Sequence, residues 1–237
     1  DAALVGLMPG DRVRLAAGTY DHFTLTGVVG TAAMPIVIEA AVGATPTISA
    51  DSGPCCNTIQ IDGDVSYVVI RGLTIDGHGI DGAFGLDARG PSVHHVTVEG
   101  CTFIGHDASQ QTVAISTKTP TSGWVIRGNV IMGAGTGMYL GNSDGSDAFV
   151  GGLIEGNLFY DTLGYNVQIK WQLPHAPVPG AADAPTSTII RHNVFVKTDR
   201  ASPDGDRPNL LVGGFPDTGA DSNGEYQIYG NVFAHNP

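Results

Sequence analysis

Lysine occurs only at Lys118, Lys170 and Lys197 in this chain of 237 residues, and 11 basic residues face 23 acidic ones for a formal charge of −12. The basic stripe that grips a nucleic-acid backbone is therefore missing. Cysteine is as scarce. Cys55 and Cys56 adjoin and Cys101 stands alone, so there is no C-x-x-C pair for zinc or redox chemistry. Inert buried thiols and a vicinal Cys55–Cys56 bridge remain as the two readings. No apolar run reaches the roughly 18 residues of a membrane span, and Asp1 to Met8 lacks the basic flank of a secretion signal. Neither a phosphate-binding G-x-x-x-x-G-K-[ST] nor an H-E-x-x-H occurs. Gly141-Asn142-Ser143-Asp144-Gly145 matches G-x-S-x-G, but a nucleophile elbow needs a following helix, and here a strand pattern follows.

What is present is glycine, 34 residues, with 42% hydrophobic and only 14% charged residues: a chain that turns often yet holds enough apolar material for a core. Among the acids 19 are Asp, which favours turns over helices. Six segments align without gaps: YVVIRGLTI, HVTVEGCTF, WVIRGNVI, GLIEGNLF, TIIRHNVF and QIYGNVF. Their reference residues, Gly72, Gly100, Gly128, Gly156, His192 and Gly230, are separated by 28, 28, 28, 36 and 38 residues. Ile70, Val98, Ile126, Ile154, Ile190 and Ile228 form one apolar column, and Ile75, Phe103, Ile131, Phe159, Phe195 and Phe233 another. Between them a Gly-Asn corner tolerates left-handed backbone. A second strand signal recurs as GLDAR, TVAIST, GMYLG, NVQIKW and NLLVG, alternating with period two.

Short strands, tight corners and a fixed period predict an all-β solenoid of parallel strands with about eight rungs, its first strands at 11–15, 35–40 and 58–61. Stacked rungs turn sequence columns into ladders. Asn129, Asn157, Asn193 and Asn231 should form an amide ladder, and Arg71, Glu99, Arg127, Glu155 and Arg191 an outward ladder of ion pairs. His78 and His106, one period apart, should stack; His94 and His95, consecutive in a strand, should point to opposite faces.

Together with the opening Pro9-Gly10-Asp11-Arg12-Val13-Arg14-Leu15-Ala16-Ala17-Gly18-Thr19-Tyr20, these repeats resemble the right-handed, single-stranded parallel β-helix of the pectin-lyase-like superfamily. Within it the chain is similar to bacterial β-helix repeat proteins of undefined activity and, more distantly, to polysaccharide lyases acting on uronate chains. The resemblance covers nearly all of residues 1–237 and implies one β-helix domain. It also implies a secreted, periplasmic or cell-surface location. The last residues, Gly230 to Pro237, fall inside a repeat, and Ala2 to Met8 reads as the tail of a cap. The expectation is a part of a longer solenoid, with a cap or self-association at its open ends.

The second strand column carries the candidate chemistry. Alternation places Val167 and Ile169 inward and Asn166, Gln168 and Lys170 outward, with Asp87, Arg89, Ser116 and Tyr139 outward on earlier rungs. The long connection after Trp171, through Gln172 and His175, should wall that face and make a groove. An outward strip of Arg89, Ser116, Tyr139, Gln168 and Lys170, flanked by Trp171 and His175, is a candidate track for a linear polysaccharide. β-Elimination of a uronate chain needs a base, here Lys170, and a proton donor, here Tyr139. The resemblance implies Lys, Arg, Tyr or His in those roles, often with calcium, although no full lyase motif is present. Asp144 and Asp147 are the candidate calcium ligands, with Asp204-Gly205-Asp206 a second acidic turn. Two alternatives stand beside the lyase: a glycan-binding or structural solenoid using the same strip, and a glycoside hydrolase pairing Asp87 with Asp144 or Asp147.

Overall fold

The computed structural model describes residues 4–50, 57–170, 172–200, 202–213 and 225–235. Its strands coil into the expected right-handed parallel β-helix, every pairing among the described residues being parallel. Each full rung contributes a strand to three sheets. The first runs Arg12–Leu15, Ile36–Ala40, Asp64–Arg71, Ser92–Glu99, Val125–Arg127, Leu153–Glu155, Ser187–Arg191 and Glu225–Tyr229, with Thr121–Ser122 and Phe149–Val150 as short additions. The second is 8-stranded, from Gly18–Asp21 to Val232–Ala234, and gives the eight rungs. The third is 7-stranded: Phe23–Thr26, Ile59–Asp62, Leu86–Ala88, Val113–Thr117, Thr136–Leu140, Val167–Ile169 and Leu210–Val212. The strands at 18–21, 23–26 and 46–49 escaped the repeat alignment because Gly18-Thr19-Tyr20-Asp21 and Pro46-Thr47-Ile48-Ser49 lack its Gly-Asn corner. No helix among the described residues is long and apolar enough to cross a membrane.

The core is the two predicted columns plus the inward residues of the third sheet, except on the last rung, where Ile228 and Phe233 are exposed because no further rung covers them. Ile70, Val98, Ile126, Ile154 and Ile190 are fully buried, and Phe159, Phe195 and Phe233 stack at 4.9 and 5.0 Å between centroids. The six aligned corners between the first two sheets take left-handed backbone, at Gly72, Gly100, Gly128, Gly156 and Gly230 and at the one non-glycine, His192, at φ 57°. Behind the corners at Gly128, Gly156, His192 and Gly230 the amide ladder closes as the columns required. Asn157 accepts from Asn129 N at 3.0 Å and Asn129 Nδ2 at 2.9 Å, and donates to Ile126 O and Asn193 Oδ1, both at 2.9 Å. Cys101 occupies this column one rung earlier, and burial pushes its thiol up to about 12, so it is inert; Cys55 and Cys56 lie outside the described residues.

The ion-pair ladder forms in two stretches: Arg127 turns to Glu99 and makes no ion pair with Glu155, its register partner on the next rung, while the N-terminal stretch runs further than the alignment suggested. Glu99 receives Arg71 at 3.3 Å and Arg127 at 2.5 Å, Glu155 receives Arg191 at 2.7 Å, and Glu39 extends the series by receiving Arg12, Arg14 and Arg71. Burial would raise the Glu39 pKa, but hydrogen bonds from Arg14, Arg71 and Arg12 outweigh it and hold the carboxyl at about 2.

Two histidine expectations fail. His106 is wholly buried, its ring between Ala83 O at 3.1 Å and Ile75 O at 3.3 Å, while His78 sits at φ 52° and turns outward to Ser49 Oγ at 2.7 Å. A left-handed residue at one rung breaks the stack. The same effect brings His94 and His95 to one face. Tyr67 and His95 lie opposite each other where the pairing breaks between His94–Ser66 and Val96–Val68, and both have φ 51°, which inserts an extra step into the alternation between the buried Val93 and Val96.

Candidate active site

The outer face of the third sheet is set by register. Gln60, Asp87, Ser116, Tyr139, Gln168 and Leu211 face one another on consecutive rungs. Two residues further along each strand, ladder hydrogen bonds align Arg89, Lys118, Gly141, Lys170 and Gly213, for example Lys118 N to Ala88 O at 3.0 Å and Lys170 N to Leu140 O at 2.8 Å. Period-two alternation aims both columns away from the core that Ile115, Met138, Leu140, Val167 and Ile169 fill.

Tyr139 is the centre of this face. Lys118 Nζ and Lys170 Nζ each lie 5.4 Å from its ring centroid, and its hydroxyl hydrogen-bonds Ser143 Oγ at 2.6 Å. Gly141, the residue between the lysines in their column, has no side chain to separate them. Burial lowers the pKa of Lys170; for Lys118 burial acts first, the Arg89 charge adds to it, and Asp87 opposes. A cleft of about 230 Å³ opens here, bounded by Tyr139, Gln168 and Lys170 below and by Gln110, Ser143, Tyr165 and Arg207 from the connecting loops. Arg207 lies 5.8 Å over the Tyr165 ring. Sequence alternation alone missed Arg207, which a loop carries in from a later rung. Lys118 was legible by the same period-two step from Ser116 that finds Lys170 from Gln168.

The predicted strip comes together only in part. Tyr139, Gln168 and Lys170 meet in the cleft, whereas Ser116 is fully buried and Gln168 is only 7% exposed, so the strip is not an open track. Asn166, expected outward, is buried and held by Thr162 Oγ1 at 2.6 Å and Asn209 Oδ1 at 2.5 Å. Arg89 is exposed but tied to Asp87 at 2.5 Å, and Asp87 also takes Asn57 Nδ2 at 3.0 Å. Trp171 lies outside the described residues.

His175 sits elsewhere, in a smaller cleft with Ser122, Val150 and Val178. The reason is the path of its loop. Leu173 N bonds Gly145 O, Gln172 Nε2 bonds Phe149 O, Ser92 Oγ bonds Pro179 O at 2.9 Å, and Tyr67 OH bonds Asp183 at 3.2 Å, so the segment crosses the first sheet instead of walling the third. The candidate calcium ligands close their own loop: Asp144 Oδ1 receives Ser146 N and Oγ, and Asp147 Oδ2 receives Asn142 Nδ2. Among the described residues no three His, Cys, Asp or Glu side chains gather as a metal site, and this donor set does not fit the six or more oxygens calcium takes.

No protein-family model and no curated protein matches the sequence. Solved structures do match in shape. An alginate lyase from Paenibacillus sp. str. FPU-7 is 21% identical with a TM-score of 0.73, the alignment covering 98% of this chain and 72% of that one. The pectate lyase Pel9A is 14% identical over 99% of this chain and 71% of its own, with a TM-score of 0.45 that carries no weight. The chain thus shares the parallel β-helix fold of the Paenibacillus alginate lyase.

Proposed function

We propose that the protein is a polysaccharide lyase that cleaves a uronate-containing polymer by β-elimination in the Tyr139 cleft, with Lys170 as base and Tyr139 as acid. The observation that carries this reading is the Lys170 ammonium, depressed by burial and held 5.4 Å over the ring of Tyr139 in a cleft that also contains Arg207. Neutral Lys170 removes the proton on the carbon beside the sugar carboxylate. The electron pair forms the new carbon–carbon double bond, the glycosidic carbon–oxygen bond breaks, and the Tyr139 hydroxyl gives its proton to the departing oxygen. Charge develops on the carboxylate during this step, and Arg207 supplies the compensating cation while Gln168 offers an amide donor.

The hydrolase alternative is disfavoured by geometry: Asp87 is buried beneath Arg89 and Asn57, and Asp144 and Asp147 are held within their loop. Arg89 extends the binding face. Such polymers lie outside cells, which agrees with a secreted, periplasmic or cell-surface location. Alginate is the first substrate to test, because the structural neighbour is described as an alginate lyase; pectate and glycosaminoglycans follow. The assay is the ultraviolet absorbance of the unsaturated product. Its appearance with the wild-type protein and loss in Lys170→Ala supports the reading; binding without turnover across the panel replaces it with a glycan-binding solenoid.

A further inference from the structure

In a chain of net charge −12, the fate of each cation is informative. Among the described residues every arginine except Arg207 pairs with a carboxylate, and none of the three lysines does. Lys118 is the telling case. It is half-buried, its Nζ lies 5.2 Å from the Phe84 ring and 5.4 Å from that of Tyr139, and Asp87, the carboxylate on its own face, is already taken by Arg89. A partly desolvated ammonium compensated only by two ring faces and by a carboxylate already engaged with Arg89 gains from a ligand that supplies an anion. Two rungs separate Lys118 from Lys170, about 10 Å along the helix axis at the usual strand spacing. Between them Gly141 is buried, with the Asp147 carbonyl 2.9 Å from where its Cβ would lie, and the Tyr139 ring that both ammonium groups approach is the surface joining them. One rung step is close to the length of one pyranose, so a linear uronate chain laid across the rungs brings a second carboxylate to Lys118 while its reacting sugar is at Lys170.

We infer that Lys118 is a substrate-binding residue that holds the carboxylate of a second uronate, two rungs toward the N-terminal end from Lys170 and one from Tyr139. This rests on the lyase reading for the identity of the polymer but not for the existence of the site. It sets a specificity: the enzyme engages two charged sugars at once, so a chain whose uronates are esterified outside the reacting sugar binds less well.

The test uses Lys118→Met, which keeps an unbranched side chain of similar length and removes the charge, with Lys118→Arg as the charge-retaining control. With alginate the Met variant should raise KM about tenfold or more at nearly unchanged kcat, reduce the salt dependence of KM, and be rescued in large part by Arg. Calorimetric binding of a defined alginate oligosaccharide is measured in parallel in a Lys170→Ala background, where no turnover is needed. Weaker binding on adding Lys118→Met supports the site, even if the wild-type protein proves to have no lyase activity. Turnover by the wild type with unchanged KM and salt dependence in Lys118→Met overturns the site and leaves the lyase reading standing. Failure of the oligosaccharide to bind either protein, with melting temperatures unchanged, overturns both.

Discussion

The Nδ1 atoms of His94 and His95 lie 2.8 Å apart, so one ring donates and the other must accept as a neutral imidazole. Tyr67 stacks on His95 at 4.5 Å and meets His94 edge-on at 5.6 Å, and its hydroxyl holds Asp183 of the segment that crosses the first sheet. Burial lowers the His94 pKa from 6.5, the neighbouring His95 adds to this, and Asp183 and Asp64 oppose it. In the range between its folded value and 6.5 the unfolded chain binds more protons, so stability is full above 6.5 and falls as the pH drops below it. Melting temperature should therefore decline on acidification, with proteolysis at 172–186 appearing first. His106, also lowered by burial, shifts the same way, so His94→Gln should remove only part of the pH dependence but most of the loop's.

Asn157→Ala should destabilise more than a surface change. It orphans Ile126 O and the amides of Asn129 inside a dry corner, at about 1–3 kcal/mol for each buried group left unpaired. Denaturant titration checks this: the midpoint should fall with an unchanged slope. A midpoint within error of wild type would mean that water replaces the ladder.

Two glycines of similar backbone separate strain from collision. Gly128 and Gly151 both have φ 62°, but a Cβ on Gly128 meets nothing within 4 Å, whereas on Gly151 it would fall 1.7 Å from Pro185 O. Gly128→Ala should cost about 1–2 kcal/mol, the left-handed penalty alone. Gly151→Ala should exceed it and loosen the segment carrying Asp183, read as faster amide exchange there.

The solenoid was legible because its columns repeat. Ile126 and Asn157 hold one environment on rung after rung, and a period exposes what a single residue does not. The histidines were misplaced because a left-handed backbone at Tyr67, His78 and His95 carries no glycine or asparagine signature, and each such residue resets the faces that follow. Within the site, register delivered Tyr139, Gln168 and Lys170. Alternation says which side of a strand a residue faces but not what covers it, so the burial of Ser116 was invisible. Loops were the other blind spot: Arg207 reaches the cleft and His175 leaves it through contacts distant in sequence, as with Leu173 on Gly145, 28 residues apart, and Ser92 on Pro179, 87 apart.

The activity itself should carry the sign of Lys170. A base acts when neutral, and burial moves the loss of its proton below the ordinary lysine value of 10.5, so kcat/KM should rise with pH to a plateau reached below that value. Lys170→Arg keeps the charge and cannot lose it, and should reduce kcat/KM by about 10²–10⁴-fold, as Lys170→Ala does, while the glycan still binds. Tyr139→Phe should cut kcat by a similar factor, since it keeps the ring under Lys118 and Lys170 but removes the hydroxyl that now bonds Ser143. Chelation should leave these rates intact, because Asp144 and Asp147 are engaged by Ser146 and Asn142. A pH profile that is the same in wild type and Lys170→Arg would assign the base to another group in the cleft.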